Sequence, residues 1–288
     1  MQNPMCIDLP VSTVLSYVPD HKYLDVATVS KLFRAKYAPK AVTAIANDTS
    51  TNNLAEYFEN GMPISDHVPT KAAEMGRLDL FQVAIGRGCT ISHKTTRVAA
   101  NLGHLHILQY IGYWNLCHQC VCAGASMGGK LNVLKWLLPE KRWLQDQIST
   151  SKIVMRNAVA GGFLPIVAWA YNKGVTLDHT HLNTAATYGH FEIVKYIHHA
   201  QRSVKYPSSV ILHAALRGDL PTLAWLNKKG YPWSDTICVL LARKGNLGAL
   251  RYARNHGCPW GMLTIGSVRT IIEGDMLAYL VDTGCPLS

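Results

Sequence analysis

The chain has 288 residues, a formal charge of +10 at neutral pH, 48% hydrophobic residues and eight cysteines. The hydrophobic share supports packed cores and excludes a disordered, highly charged tail. The cysteines are too sparse for a disulfide scaffold, no apolar run approaches a membrane span, and no basic stretch leading into an apolar one reads as a secretory leader. Reduced thiols and a place in the cytoplasm or nucleus are therefore expected, with no membrane partner.

Residues 1–37 stand apart from the rest. They open with Ile7-Asp8-Leu9-Pro10, continue with Val14, Leu15 and Val18 at helical spacing, then Leu24, and end in Val29-Ser30-Lys31-Leu32-Phe33-Arg34. A segment this short cannot bury so dense an apolar strip by itself. Either another protein covers the strip, or it caps the element that follows.

From residue 38 the chain repeats itself. Ala-Ala-x-x-Gly-x-Leu appears at Ala72-Ala73, Ala99-Ala100 and Ala214-Ala215, and with Phe in the last place at Ala185-Ala186. Degenerate copies surround Gly129, Gly162 and Gly245. The turn glycines 76, 103, 129, 162, 189, 218 and 245 are spaced by 27, 26, 33, 27, 29 and 27 residues. A period in this range predicts a solenoid of stacked helix pairs. In each copy the Ala pair ends a first helix, Gly makes the turn, and a second helix follows with apolar residues such as Leu220, Leu223 and Leu226. Seven residues after the turn stands a large side chain, among them Trp136, Trp169, Trp225 and Tyr252, which the periodicity assigns to the core. A stop glycine follows the turn glycine by 12 residues at Gly88, Gly174, Gly230 and Gly257, so the second helix is predicted to have a fixed length.

The connecting loops share a signature, as in Gly88-Cys-Thr-Ile-Ser92, Gly174-Val-Thr-Leu-Asp178 and Gly230-Tyr-Pro-Trp-Ser234. The Ser or Asp is predicted to cap the next helix, with the preceding apolar residue as its staple. The longest loop, residues 142–150, carries Arg142 and Trp143, an aromatic beside basic groups; Leu144 takes its staple position. Counting outward from the glycines gives nine helix pairs, seven of them complete. Residues 38–288 read as one elongated repeat domain. The expected fold is all-α, a right-stacked helix-pair solenoid with little or no sheet, preceded by a small helical module.

Three clusters invite a chemical reading. Cys117-His118-x-Cys120-x-Cys122 has metal-ligand residue types, yet no second ligand pair follows at zinc spacing, and His118 aligns with the loop staple. His104 and His190 follow turn glycines and are expected to bond turn backbone. Cys89, Cys258 and Cys285 all stand one residue after a stop glycine, a structural placement. No catalytic arrangement, metal or cofactor is expected. The excess of basic residues is scattered, so nucleic-acid binding is not expected and an acidic protein partner is. The first helices carry polar residues nine, six and two positions before their turn glycines, which makes Lys94, Arg97, Asn101, Arg156, Asn183 and Thr187 candidates for partner binding alongside Arg142 and Trp143.

Two resemblances sharpen this reading. Gly103-His-Leu105, Gly189-His-Phe-Glu-Ile-Val-Lys-Tyr196, Leu131-Asn-Val-Leu-Lys-Trp-Leu137 and Asn255-His-Gly-Cys-Pro-Trp260 resemble ankyrin repeats, in the short form abundant in giant DNA viruses and protists. The usual Thr-Pro-Leu-His segment is missing, which implies plain loops in place of β-hairpin fingers. Residues 1–37 resemble an F-box, the module that docks the Skp-type adaptor of cullin–RING ubiquitin ligases. That resemblance implies adaptor contact by Leu9, Pro10, Val14, Leu15, Val18, Leu24, Val29 and Phe33. Together they imply a monomeric, non-enzymatic adaptor that recruits a target protein to a ligase, in a host cell if the viral likeness holds. The alternative is a scaffold or structural binding protein whose N-terminal helices only cap the repeats.

Overall fold

A computed structural model describes residues 67–138, 148–201, 207–261, 263–268 and 274–286. The adaptor-docking residues of the N-terminal module, the first incomplete helix pair, Arg142 and Trp143 lie outside the described residues. The chain divides into two units, Met1–Arg142 and Trp143–Ser288. In the first lie α1 (His67–Met75), α2 (Leu78–Gly86), α3 (His93–Leu102), α4 (Leu105–Ile111), a 3-10 turn (Tyr113–Asn115), α5 (His118–Met127) and α6 (Leu131–Leu137). In the second lie α7 (Ile148–Gly161), α8 (Leu164–Asn172), α9 (His179–Tyr188), α10 (Phe191–Ala200), α11 (Ser208–Arg217), α12 (Leu220–Lys228), α13 (Ile237–Arg243), α14 (Leu247–Asn255), α15 (Ile265–Val268) and α16 (Asp275–Asp282). No strand occurs among the described residues.

The repeated motif explains the turn in every copy. In α3, the Ala99 carbonyl accepts from the His104 N–H at 2.9 Å and the Ala100 carbonyl from the Gly103 N–H at 3.2 Å. This pair of bonds satisfies the last carbonyls of the helix and requires a left-handed residue, supplied by Gly103 at φ 84°. The first of these bonds, from the residue after the glycine to the carbonyl five residues back, recurs from Arg77 to Ala72, Lys130 to Ala125, Phe163 to Ala158, His190 to Ala185, Asp219 to Ala214 and Asn246 to Leu241. Stop glycines work the same way. The residue after each is buried, as at Cys89, Val175, Tyr231, Cys258 and Cys285, and its N–H bonds back into the second helix. That residue anchors the loop.

Packing follows the pairs. First helices stack on first helices, α3 between α1 and α5 in one unit and α7, α9, α11, α13 in series in the other. Second helices stack in their own row, α2 on α4, α8 on α10 and α12 on α14. The core of each second helix falls four, five and eight residues after the turn: Leu80, Phe81 and Ala84; Ile166, Val167 and Ala170; Ala249, Leu250 and Ala253. Against them lie the Ala pairs, fully buried at Ala99, Ala100, Ala185, Ala186, Ala214 and Ala215. No helix of the described residues is long and apolar enough to cross a membrane.

Several expectations change. The second helix is nine residues in the four repeats with a stop glycine 12 residues after the turn, α2, α8, α12 and α14, but seven in α4 and α6 and ten in α10, whose repeats lack it. In α4, Gly112 at φ 83° and ψ 140° ends the helix two residues early and leads into the 3-10 turn. Leu220 is exposed, because the first residue of the helix precedes the buried face. The staple residues Leu177 and Trp233 are half-buried and Ile91 is exposed, since the residue after the stop glycine already fills the gap beneath the loop. In the long loop, α7 begins at Ile148, so the expected extent to residue 150 is too great.

The closest approach in the first unit is between α3 and α5. A Cβ on Gly124 would lie 2.2 Å from the Arg97 carbonyl oxygen, and one on Gly128 would lie 1.9 Å from that of Asn101. The α3 backbone occupies the space that side chains would need. Gly124→Ala should therefore destabilise the unit by about 1–3 kcal/mol, although alanine is the better helix former. Gly86→Ala, where nothing lies within 4 Å, should be neutral or stabilising. Urea denaturation of the two variants measures both signs.

Candidate interaction surface

The candidate residues on the first helices fall into two kinds. On α3, Lys94 and Arg97 are exposed, while Asn101 is half-buried with its carbonyl and Oδ1 facing Gly128. On α7, Arg156 is exposed. On α9, Asn183 and Thr187 are engaged by α11. The Ser209 hydroxyl donates to Asn183 Oδ1 at 3.0 Å, and Thr187 Oγ1 lies 2.9 Å from His213 Nδ1 while donating to the Asn183 carbonyl at 2.8 Å. These two side chains bind their neighbour helix before they bind a partner. Thr70 and Thr95, buried between α1 and α3, share the same kind of bond at 2.7 Å. Ser209 and His213 were missed in the sequence; each stands 26 residues after its partner, three short of the 29-residue spacing of their turn glycines.

The rim beside the turns adds apolar groups that the periodicity did not single out. Leu102 and Met127 are exposed in the first unit, Tyr188 and Leu216 in the second, and Trp114 in the 3-10 turn is 83% exposed. The tryptophans of the repeat column are not fully buried. Trp136 in the first unit is half-exposed, as are Trp169 and Trp225 in the second, where Trp225 belongs to an aromatic seam. In the second unit this seam includes an edge-to-face contact of Phe191 with Trp225 at 5.9 Å and of His198 with Trp225 at 5.0 Å. Burial, with His199 and Lys229 nearby, holds the His198 imidazole below its ordinary range. His198 Nδ1 lies 3.1 Å from the buried Tyr231 hydroxyl.

The post-turn histidines bond backbone across repeats. His104 Nε2 lies 3.3 Å from the Glu74 carbonyl and His190 Nε2 2.8 Å from that of Ala160. Asn246 Nδ2 does the same to Gly218 at 2.9 Å.

The cysteine cluster separates into parts. Cys117 caps α5, accepting from the Cys120 N–H at 3.4 Å, and buried Leu116 precedes it, so Leu116 takes the staple place assigned to His118. His118 is the first helical residue, and its Nε2 lies 3.1 Å from the Tyr113 carbonyl. Burial pushes the Cys122 thiol up to about 12, and burial with the Cys117 hydrogen bond pushes Cys120 up to about 11. Cys117, Cys120 and His93 place their ligand atoms within 4.8 Å of one another. His93, on the preceding first helix, was not among the sequence candidates.

No protein-family model matches this chain, and no curated protein matches it significantly. The functional reading rests on its own residues.

Lys94→Ala and Arg97→Ala should leave stability within about 0.5 kcal/mol of wild type. Asn183→Ala should cost about 1 kcal/mol, and Ser209→Ala in that background should add little, because the bond is already gone. Thermal and urea melts of wild type, Asn183→Ala, Ser209→Ala and the double variant complete the cycle, and the same melts of Lys94→Ala and Arg97→Ala check the exposed positions.

Proposed function

We propose that this protein is a protein–protein interaction adaptor, its helix pairs being ankyrin-type repeats of a right-stacked solenoid and residues 1–37 an F-box. The observation that supports it most is the contrast between the two sides of the first helices. One side is locked by alanine and glycine against neighbouring helices. The other presents Lys94, Arg97 and Arg156, with exposed Leu102, Met127 and Leu216 near the turns. A fixed frame with varied decoration suits recognition of a protein surface, and exposed apolar groups beside cations supply anchor and rim. The net charge of +10 favours an acidic target through steering. A ligase adaptor of Skp type would hold the other end through Leu9, Pro10, Val14, Leu15, Val18, Leu24, Val29 and Phe33, with the work done in the cytoplasm or nucleus.

The full chain should capture a Skp-type adaptor in a pull-down from purified components. Leu9→Asp with Leu15→Asp should abolish capture while circular dichroism and the melting transition of the repeats stay unchanged. Failure of the wild-type chain to capture the adaptor, or unfolding of the repeats in the double variant, favours the scaffold whose N-terminal helices are a cap.

A further inference from the structure

We propose that His93, Cys117 and Cys120 form a three-ligand site for a divalent cation of the zinc class, with water in the fourth position. The site lies within the first unit and is independent of the adaptor reading. His93 is the first residue of α3 after its cap Ser92, and Cys117 and Cys120 are the cap and third residue of α5. Both helices have ten residues and stack with their N-terminal ends together. Gly124 and Gly128 set that register by admitting the α3 backbone, Arg97 to Gly124 and Asn101 to Gly128. The same 27-residue offset carries His93 to Cys120.

The donor set selects the ion. Two thiolates and an imidazole suit zinc and its borderline-soft neighbours and exclude calcium and magnesium. Tetrahedral zinc needs its sulfur and nitrogen ligands roughly 3.5–3.8 Å apart. All three ligand atoms already lie within 4.8 Å of one another, and the two sulfurs, 2.7 Å apart, would separate by about 1 Å through side-chain rotation. What favours a bound cation's ligands here is geometric: the Cys120 N–H donates to Cys117 Sγ at 3.4 Å and holds that sulfur in place at the head of α5. His93 is exposed and both cysteines are half-buried, so an ion has a path in and the fourth position is open to water. The remaining members of the sequence cluster stand aside: Cys122 is buried in the core and His118 is held by the Tyr113 carbonyl.

The test is titration of the reduced, tag-free full chain with Co²⁺, followed by competition with Zn²⁺. Wild type should bind one ion per chain and show the near-ultraviolet thiolate-to-cobalt band with the visible bands of tetrahedral cobalt, and Zn²⁺ should bleach both. Cys117→Ser and Cys120→Ser should each remove the thiolate signature of the complete site. His93→Ala, an exposed change, should lower affinity by more than the roughly 10–100-fold that loss of an outer-shell partner costs. His118→Ala should bind as wild type does, and circular dichroism checks the fold of each variant. Absence of the bands at one equivalent overturns the proposal. So does unchanged affinity in His93→Ala, binding that survives loss of both cysteines, or isolation of the chain with a Cys117–Cys120 disulfide and no cobalt binding once it is reduced.

Discussion

Backbone-to-backbone approach of successive first helices is the constraint on which each unit depends. Large side chains would hold these helices apart; in the first unit Ala100, Gly124 and Gly128 make the contact, and in the second the corresponding positions hold the fully buried Ala185, Ala186, Ala214 and Ala215. Once the helices touch, their register is fixed at about one repeat. That register places Thr70 on Thr95, Asn183 on Ser209 and Thr187 on His213. It also brings a histidine from one repeat beside two cysteines of the next. Alanine and glycine contribute little apolar area themselves. Their effect is to let Leu, Ile and Phe of the second helices fill the remaining space without voids.

What could be read from the sequence was whatever a single repeat decides for itself. The glycine turn, the Ala pair and the Ser92 and Asp178 caps answer to local backbone requirements and stand where the pattern places them, whereas Ser234, expected to cap α13, lies two residues before its N-cap Thr236. The post-turn histidines bond backbone, as their position implied. What depended on a neighbour was not legible. Asn183 and Thr187 read as free recognition positions because nothing within their own repeat shows Ser209 and His213 reaching them. The cysteine cluster was set aside because no second ligand pair follows it in sequence; His93, which lies beside Cys117 and Cys120, stands on the preceding first helix. The tryptophan column was assigned to the core by its period, yet the second helices present it along a half-exposed edge, and periodicity alone does not fix depth.

Charge is also less available than its total suggests. Lys195 lies over Phe191 at 4.7 Å and also pairs with Glu192 at 2.6 Å, and Lys229 lies 5.7 Å from the Trp225 ring. Arg251 covers Tyr279 at 5.3 Å and Arg254 covers Trp260 at 4.1 Å. Cations seated on rings stay positive but lose mobility and part of their hydration. In the second unit a share of the basic excess thus shields the aromatic seam, whereas Lys94, Arg97 and Arg156 extend from the first helices.

The bonds across the turns have a direction. His104 and His106 reach back to carbonyls of the preceding repeat, as do His190 and Asn246, so at these three junctions a side chain of the later repeat meets a backbone acceptor of the earlier one. A module with a donor at one end and an acceptor at the other joins to a copy of itself without any new surface. An in-frame duplication of about one period would restore both junctions at once, and a deletion of the same length would close the gap it made. Such a gene can change the length of its product in whole steps while each intermediate still folds.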